Sequence, residues 1–205
     1  PENRVVMKHE TPGLIHVLTR NMETMEILYN DNVGLPRAKT LKFQNRKEIW
    51  GTLKKFPYFR EGYVIRHGST FIKVVNRKYQ DVKSLRGNTS SIIQHFFDLR
   101  RENKRDDFLR YYSEHTESFA ALEMAFQNLC MMTYNEYIML RVRKAIDSSQ
   151  VTWFLKHALY TIHGEHLQTH VRIRLPDVQR IMAGMTSYSL RRMVEEANNL
   201  PYSYV

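Results

Sequence analysis

The hydrophobic periodicity of the sequence changes once, near residue 89, and this change constrains the fold more than any other feature. Before it, short apolar stretches such as LIHVL (14–18) and TFIKVV (70–75) alternate with turn-rich stretches, a pattern typical of strands and hairpins. After it, apolar residues recur every 3 to 4 positions, as in SSIIQHFFDLRR (90–101), which is typical of amphipathic helices. We therefore predict an α+β chain, with an antiparallel sheet in residues 1–88 and an all-α domain in residues 89–205.

The same patterns predict individual elements. The first part has strand patterns at 14–18, 25–28, 62–66 and 70–75, and a helix pattern at 45–55, where Asn45 can cap and Glu48 occupies the capping-box position. In the second part, helices are predicted at 90–101, 116–146, 149–162, 176–184 and 187–198, with Ser149, Pro176 and Ser187 as start signals. The loop-like stretch RGNTS (86–90) is the predicted boundary.

Positive charge is concentrated in the first part of the chain. Residues 1–90 carry 17 Lys and Arg against 8 Asp and Glu, whereas residues 91–205 carry 14 against 13. A basic surface confined to one part suits a polyanion such as a nucleic acid or the phosphates of a nucleotide. The alternative is a solvated lysine-rich face without a partner.

Other features of the sequence bear on its compartment. No apolar run approaches the length of a membrane span, so we expect no membrane association. A single cysteine, Cys130, excludes an intrachain disulfide; it lies in an apolar run and is predicted to be buried. The start, PENRVVMKHE, has neither an initiator Met nor a signal-peptide layout, so we interpret it as an internal segment of a longer protein. We expect a cytoplasmic protein, whose source could be a cell, a virus or a phage.

A pair of opposite charges lies in the predicted hairpin. The strands GYVIR (62–66) and TFIKVV (70–75) flank a turn, and counting outward from it brings Glu61 and Lys73 within a residue or two of facing each other. Alternation along the strand would place Glu61 on the face of Tyr63 and Ile65. Such a pair can hold a divalent metal ion and a phosphate oxygen side by side. The alternative is an ordinary cross-strand ion pair.

Five stretches, taken together, resemble a known superfamily. The five stretches are PENRVV (1–6), LIHVLTRNMETMEIL (14–28), VGLPRAKTLKF (33–43), REGYVIR (60–66) and FIKVVNRKY (71–79). They resemble the covalent nucleotidyltransferases, which comprise ATP-dependent DNA and RNA ligases and mRNA capping enzymes. Within this superfamily they resemble RNA ligases similar to the phage T4 enzyme that seals broken tRNA. Residues 92–112 are similar to the start of the helical C-terminal domain of these ligases.

The resemblance implies a fold and an activity. Residues 1–88 would be the C-terminal part of a nucleotidyltransferase domain, with motifs IIIa, IV and V, and residues 89–205 the helical C-terminal domain. Such ligases attach AMP from ATP to a lysine, transfer it to an RNA 5′-phosphate, and let a 3′-hydroxyl displace it. The implied cofactors are ATP and Mg²⁺ or Mn²⁺, and the implied partners are RNA ends, with tRNA as one candidate.

The resemblance also implies roles for individual residues. Glu61 matches the motif IV acid, beside the nucleotide and its metal ion, and Lys73 matches the first lysine of motif V, which contacts the nucleotide phosphate. Arg4, just after the position of motif III, and Arg20, in the motif IIIa-like stretch, are further candidates for contacts with nucleotide or RNA.

Two departures from the family pattern matter. Motif V usually reads Lys-x-Lys, but here Val75 replaces the second lysine, and Arg77 or Lys78 could substitute for it. No Lys-x-Asp/Asn-Gly tetrapeptide, which carries the nucleophilic lysine, occurs in the 205 residues. We therefore expect a C-terminal portion of a ligase that cannot form lysyl-AMP alone and that needs an N-terminal segment, for example as a separate chain. The alternative hypotheses are a non-catalytic or degenerate RNA-binding module and a helical protein-interaction domain in which the hairpin is a scaffold.

Overall fold

A computed structural model describes residues 5–7, 13–28, 32–67 and 70–199, except for the side chain of His67. It divides the chain into two compact units, Pro1–Arg86 and Gly87–Val205, which we call the first and second units. The predicted boundary, between residues 88 and 89, lies two residues after this division. The predicted mixed α+β class is confirmed: the described residues form two small antiparallel sheets and eight α-helices, and most of them are helical.

The first unit contains two separate two-stranded sheets. Its elements in chain order are β1 (Thr19–Arg20), β2 (Ile27–Leu28), α1 (Arg46–Lys54), β3 (Gly62–His67), β4 (Thr70–Val75) and α2 (Arg77–Arg86). The strand predicted at 14–18 is wrong, because only His16 forms an isolated parallel bridge, with Arg37. The first sheet instead lies just beyond it, where the side chain of Asn21 accepts hydrogen bonds from the turn between β1 and β2.

Helix α1 begins where the sequence predicts it. The side chain of Asn45 accepts a hydrogen bond from the backbone N–H of Glu48 at 3.0 Å, and the Glu48 carboxylate accepts one from the backbone N–H of Gln44 at 2.9 Å. Two N–H groups at the helix start are thereby paired. Leu53 is the buried residue of this helix.

Helix α2 was not predicted. The predicted strand ends at Val75, as in the structure, and the side chain of Asn76 then accepts a hydrogen bond from the backbone N–H of Lys78 and starts a helix. Arg77 and Lys78 therefore lie at the exposed start of α2 and not on the strand that carries Lys73. If either one substitutes for the missing motif V lysine, it does so from α2.

The second unit is helical throughout its described length. Its α-helices are α3 (Ile92–Arg101), α4 (Arg105–Tyr111), α5 (Thr116–Tyr137), α6 (Lys156–Thr169), α7 (Leu175–Ala183) and α8 (Ser187–Asn198). The core is rich in aromatic side chains, with Phe108 stacked on Tyr112 and Phe119. Cys130 is fully buried, as predicted, and burial raises its pKa to about 12.

The helices predicted at 116–146 and 149–162 differ from the structure at their boundaries. The pattern at 116–146 is α5 followed by one π-helical stretch, Ile138–Val142, so the helix ends before Lys144, whose φ is +53°. Ser149 does not start a helix: its N–H and hydroxyl both contact Asp147 in a turn, and α6 begins after a 3₁₀ turn at Trp153–Leu155. The predicted bounds of α8, 187–198, are confirmed: Ser187 is its first residue, and Thr186 is its N-cap.

Candidate functional site

The site predicted from the sequence centres on Glu61 and Lys73 in the first unit. The Lys73 ammonium donates a hydrogen bond to the Glu61 carboxylate at 2.7 Å between Nζ and Oε1. This hydrogen bond, together with the charge of Glu61, raises the pKa of Lys73 above its ordinary value, so the ammonium stays protonated at neutral pH. The side chains are 57% and 41% exposed, so a phosphate could approach both from solvent.

The two residues meet by a different route from the predicted one. In the hairpin, Lys73 lies opposite Val64, and Glu61 lies three positions before Val64, where its carbonyl accepts a hydrogen bond from the backbone N–H of Asn76. The expectation that they nearly face each other is therefore wrong. The long lysine side chain covers the offset.

Gly62 shapes the chain between Glu61 and the strand. Its φ is +148°, and a Cβ added to it would lie 2.0 Å from the carbonyl oxygen of Val74. Only glycine tolerates this close backbone approach. The alternation that would place Glu61 on the face of Tyr63 therefore does not extend across Gly62, and the Glu61 carboxylate contacts Lys73, which belongs to the opposite row of side chains.

Asn76 holds the segment that carries Glu61. Its side chain is buried, and its amide donates hydrogen bonds to the carbonyls of Pro57 and Arg60, at 2.8 Å and 3.0 Å. Together with the backbone bond to Glu61, these contacts tie the segment before β3 to the residue after β4. Asn76 is therefore a positioning residue, which the sequence analysis missed, although an Asn between a strand pattern and a basic helix start is a capping signal.

Tyr79, on α2, is a second residue that the sequence analysis missed. Partial burial raises the pKa of its phenol, the Glu61 charge raises it further, and the Lys73 charge lowers it. The phenol is therefore neutral near pH 7, and both charges influence its pKa. A neutral hydroxyl beside an acid and an ammonium can donate a hydrogen bond to a ligand oxygen.

The other predicted site residues lie elsewhere or outside the described part of the chain. Arg20 is exposed on β1, and no contact joins it to Glu61 or Lys73. Arg4 lies outside the described residues. Val75 pairs with Gly62 at the end of β4, so the position of the second motif V lysine holds a half-buried apolar side chain.

Glu61 is the candidate metal ligand of this site, and it suits an ion whose other ligands are phosphate oxygens and waters. Within the part of the chain that the structure describes, no group of three or more His, Cys, Asp or Glu side chains could hold a metal ion. Mg²⁺ in nucleotide sites is commonly held by one or two carboxylates, with phosphate oxygens and waters completing the shell. Glu61 offers one exposed carboxylate, and this donor fits such an ion when a nucleotide supplies the remaining ligands.

Comparisons of the chain with protein families, with curated proteins and with solved structures found no match. Among the described residues, no helix is both long enough and apolar enough to cross a membrane.

Proposed function

We propose that this chain is the C-terminal portion of an ATP-dependent RNA ligase, which seals 5′-phosphate and 3′-hydroxyl RNA ends through lysyl-AMP and RNA-adenylate intermediates. The nucleophilic lysine lies outside these 205 residues, on an N-terminal segment of the same domain. Glu61 and Lys73 act on the nucleotide, and the helical domain helps to hold the RNA.

The Glu61–Lys73 pair, at 2.7 Å, is the observation that carries this proposal. An exposed cross-strand ion pair would need no special support, because such pairs contribute little to stability. Here the acid is held by a glycine with a positive φ and by a buried asparagine with three side-chain hydrogen bonds. A site for a phosphate and its metal ion requires an acid and an ammonium that are exposed to solvent and held in position by neighbouring residues.

Each residue has a role in this proposal. Glu61 would hold the Mg²⁺ or Mn²⁺ ion. When bound, this ion would neutralise negative charge on the phosphates of ATP. Lys73 would donate to the phosphate of the AMP moiety, where negative charge develops during transfer. Arg20 and Arg4 remain proposed contacts to nucleotide or RNA.

Val75 favours a second candidate function, a degenerate ligase that binds RNA without catalysis. The lysine that the family places there would be a second phosphate contact, and the structure puts neither Arg77 nor Lys78 on the same strand. The basic excess of the first part, 17 Lys and Arg against 8 Asp and Glu in residues 1–90, would suffice for salt-dependent RNA binding.

A complementation experiment tests the proposal. The chain is mixed with an N-terminal nucleotidyltransferase segment that carries Lys-x-Asp/Asn-Gly, and transfer of label from [α-³²P]ATP to protein is measured with Mg²⁺. We expect transfer only with both components, and a loss of about 100-fold for Glu61→Ala, because the proposed metal ligand is removed. The matched control is Glu23→Ala, which removes the same charge from an exposed position in the same unit and should not change transfer.

Two results would contradict the proposal. One is a homogeneous 24.5 kDa species that becomes adenylylated without the N-terminal segment. The other is label transfer that Glu61→Ala leaves unchanged. Salt-sensitive RNA binding that survives Glu61→Ala, without any adenylylation, would favour the degenerate ligase.

A further inference from the structure

A polar pocket opens on the second unit where α3 ends and α4 begins. Its volume is about 290 Å³, and it is lined by Arg100, Asn103, Arg105, Asp106 and Glu123. None of these residues belongs to the site around Glu61. The pocket lies entirely within the helical unit.

Glu123, on α5, holds the two arginines of the pocket in place. Its Oε2 accepts hydrogen bonds from Arg100 Nε at 3.3 Å and Arg105 Nη1 at 3.2 Å. Its Oε1 accepts one from the Gln127 amide at 2.9 Å, and the side-chain Oε1 of Gln127 in turn accepts one from the Gln179 amide on α7 at 2.6 Å. Side chains from four helices, α3, α4, α5 and α7, therefore form the network that fixes this carboxylate.

The electrostatics keep this carboxylate charged. Burial alone would raise the pKa of Glu123, but hydrogen bonds from Gln127 and Arg100 and the charges of both arginines more than offset it, so the pKa lies below its ordinary value. One ionised acid therefore orients two guanidinium groups. A single carboxylate neutralises only one of them, and the other carboxylate, Asp106, is 87% exposed, so solvent screens its charge.

Both arginines keep donors for a ligand. The Arg100 guanidinium lies over the Phe126 ring, 4.3 Å from its centroid, which fixes its plane. A guanidinium carries five N–H donors, and the ion pairs engage two on Arg100 with Glu123 and two on Arg105 with Asp106 and Glu123. Three donors remain on each side chain, and the Asn103 amide adds a neutral one at the pocket wall.

We propose that this pocket binds a phosphate group, and that in the proposed ligase the phosphate belongs to the RNA backbone. Arginine forks match phosphate oxygens in geometry, and forks that are already oriented lose little conformational freedom on binding. The phosphate chemistry rests on the pocket alone. The assignment of the phosphate to RNA rests on the proposed function, because a ligase must also bind its substrate strand at positions distant from the reacting ends.

The test compares two arginines of the same short helix. Arg105→Gln removes the fork from the pocket, and Arg110→Gln removes the same charge from an exposed residue that is paired with Asp107 outside it. Binding of the full 205-residue chain to a labelled single-stranded RNA of about ten nucleotides is measured by fluorescence anisotropy at several salt concentrations. Binding of inorganic phosphate is measured by calorimetry.

We expect Arg105→Gln to raise the Kd for RNA about fivefold or more and to lower the salt slope by about 0.7, the value for one phosphate contact on a single strand. Arg110→Gln should change the Kd by less than about twofold. If Arg105→Gln does not fold, Arg105→Lys keeps the charge and removes the fork, and it should still weaken binding. Far-UV circular dichroism monitors folding of all three variants.

The remaining outcomes decide the source of the phosphate or overturn the proposal. If inorganic phosphate binds and Arg105→Gln abolishes this binding while RNA affinity is unchanged, the phosphate pocket stands, with a free phosphate or nucleotide as its ligand. If both substitutions weaken RNA binding equally, or if neither ligand responds to Arg105→Gln, the pocket is an ion-pair network and the proposal is wrong. The assays contain neither ATP nor an N-terminal segment, so a failed adenylylation experiment leaves their result intact.

Discussion

The two units of this protein treat their apolar residues in opposite ways. Among the described residues, the first unit buries only four apolar side chains, those of Val6, Leu53, Phe56 and Val82, whereas the second buries twenty-three. Conversely, seventeen large apolar side chains are exposed in the first unit and nine in the second. The second unit therefore has a hydrophobic core of its own, and the described part of the first unit has a much smaller one.

The hairpin that carries the proposed site is one place where the first unit leaves apolar side chains exposed. One face of β3 and β4 packs through Tyr63, which contacts Phe43 and Phe56. The other face leaves Val64 66% and Phe71 42% exposed. A two-stranded hairpin is only marginally stable alone, and its unpaired edges can accept another strand. These properties agree with the proposal that an N-terminal segment completes this domain.

The largest expected effect contrasts one aromatic residue from each unit. Phe108→Ala should destabilise the second unit by about 3–5 kcal/mol, because a fully buried ring stacked on two others leaves a cavity. Phe71→Ala should cost less than about 1 kcal/mol, because this ring is already partly in solvent. Urea unfolding followed by far-UV circular dichroism measures both values. Equal losses would mean that the two units do not differ as described.

An intermediate effect separates two glycines of the first unit. Gly62→Ala should destabilise the hairpin by about 1–3 kcal/mol, because its Cβ would collide with the Val74 carbonyl and its φ is positive. Gly51→Ala, within α1, meets no atom within 4 Å and should instead stabilise the helix by about 0.5–1 kcal/mol. Amide hydrogen exchange at β3 and β4 measures the first and thermal unfolding the second. Unchanged protection in Gly62→Ala would show that the backbone can relax, and that Glu61 does not depend on this glycine.

The smallest expected effect is a pH dependence of the stability that Glu123 gives to the second unit. The folded-state pKa of Glu123 is below the ordinary value of 4.5, so its stabilisation is fully present above that value and is lost as the pH falls through the folded-state pKa. The difference in unfolding free energy between the wild type and Glu123→Gln should therefore shrink between about pH 6 and about pH 3. A difference for Glu123→Gln that grows as the pH falls would contradict the depressed pKa of its carboxyl group.

Local patterns predicted the elements whose ends are set by neighbouring side chains. The Asn45 cap defines the start of α1, and the alternating apolar pattern of GYVIR and TFIKVV defines the strands of the hairpin. The prediction failed where a local polar contact competes with the pattern. No helix was predicted after Val75, but the Asn76 side chain caps one there, and Ser149 bonds to Asp147 instead of starting the helix predicted from it.

The candidate site was also predicted only in part from the sequence. The residue types of Glu61 and Lys73 and their order along the chain pointed to a pair, but the register that separates them by three positions and the role of Gly62 were not visible in the sequence. Asn76 was missed because its side chain acts through hydrogen bonds to residues that are distant along the chain, and Tyr79 because its pKa is shifted by charges on other elements. The pocket around Glu123 joins residues from α3, α4 and α5, and no spacing rule brings them together.

The sequence by itself determined the α+β class, the change to helices near residue 89 and the concentration of positive charge in the first part, because these depend on periodicity and composition. Only the tertiary structure decided which charges meet. Side chains such as Glu61 and Lys73, or Arg100, Arg105 and Glu123, are brought within hydrogen-bonding distance by packing between elements, and the free energy of that packing is not encoded in any local pattern.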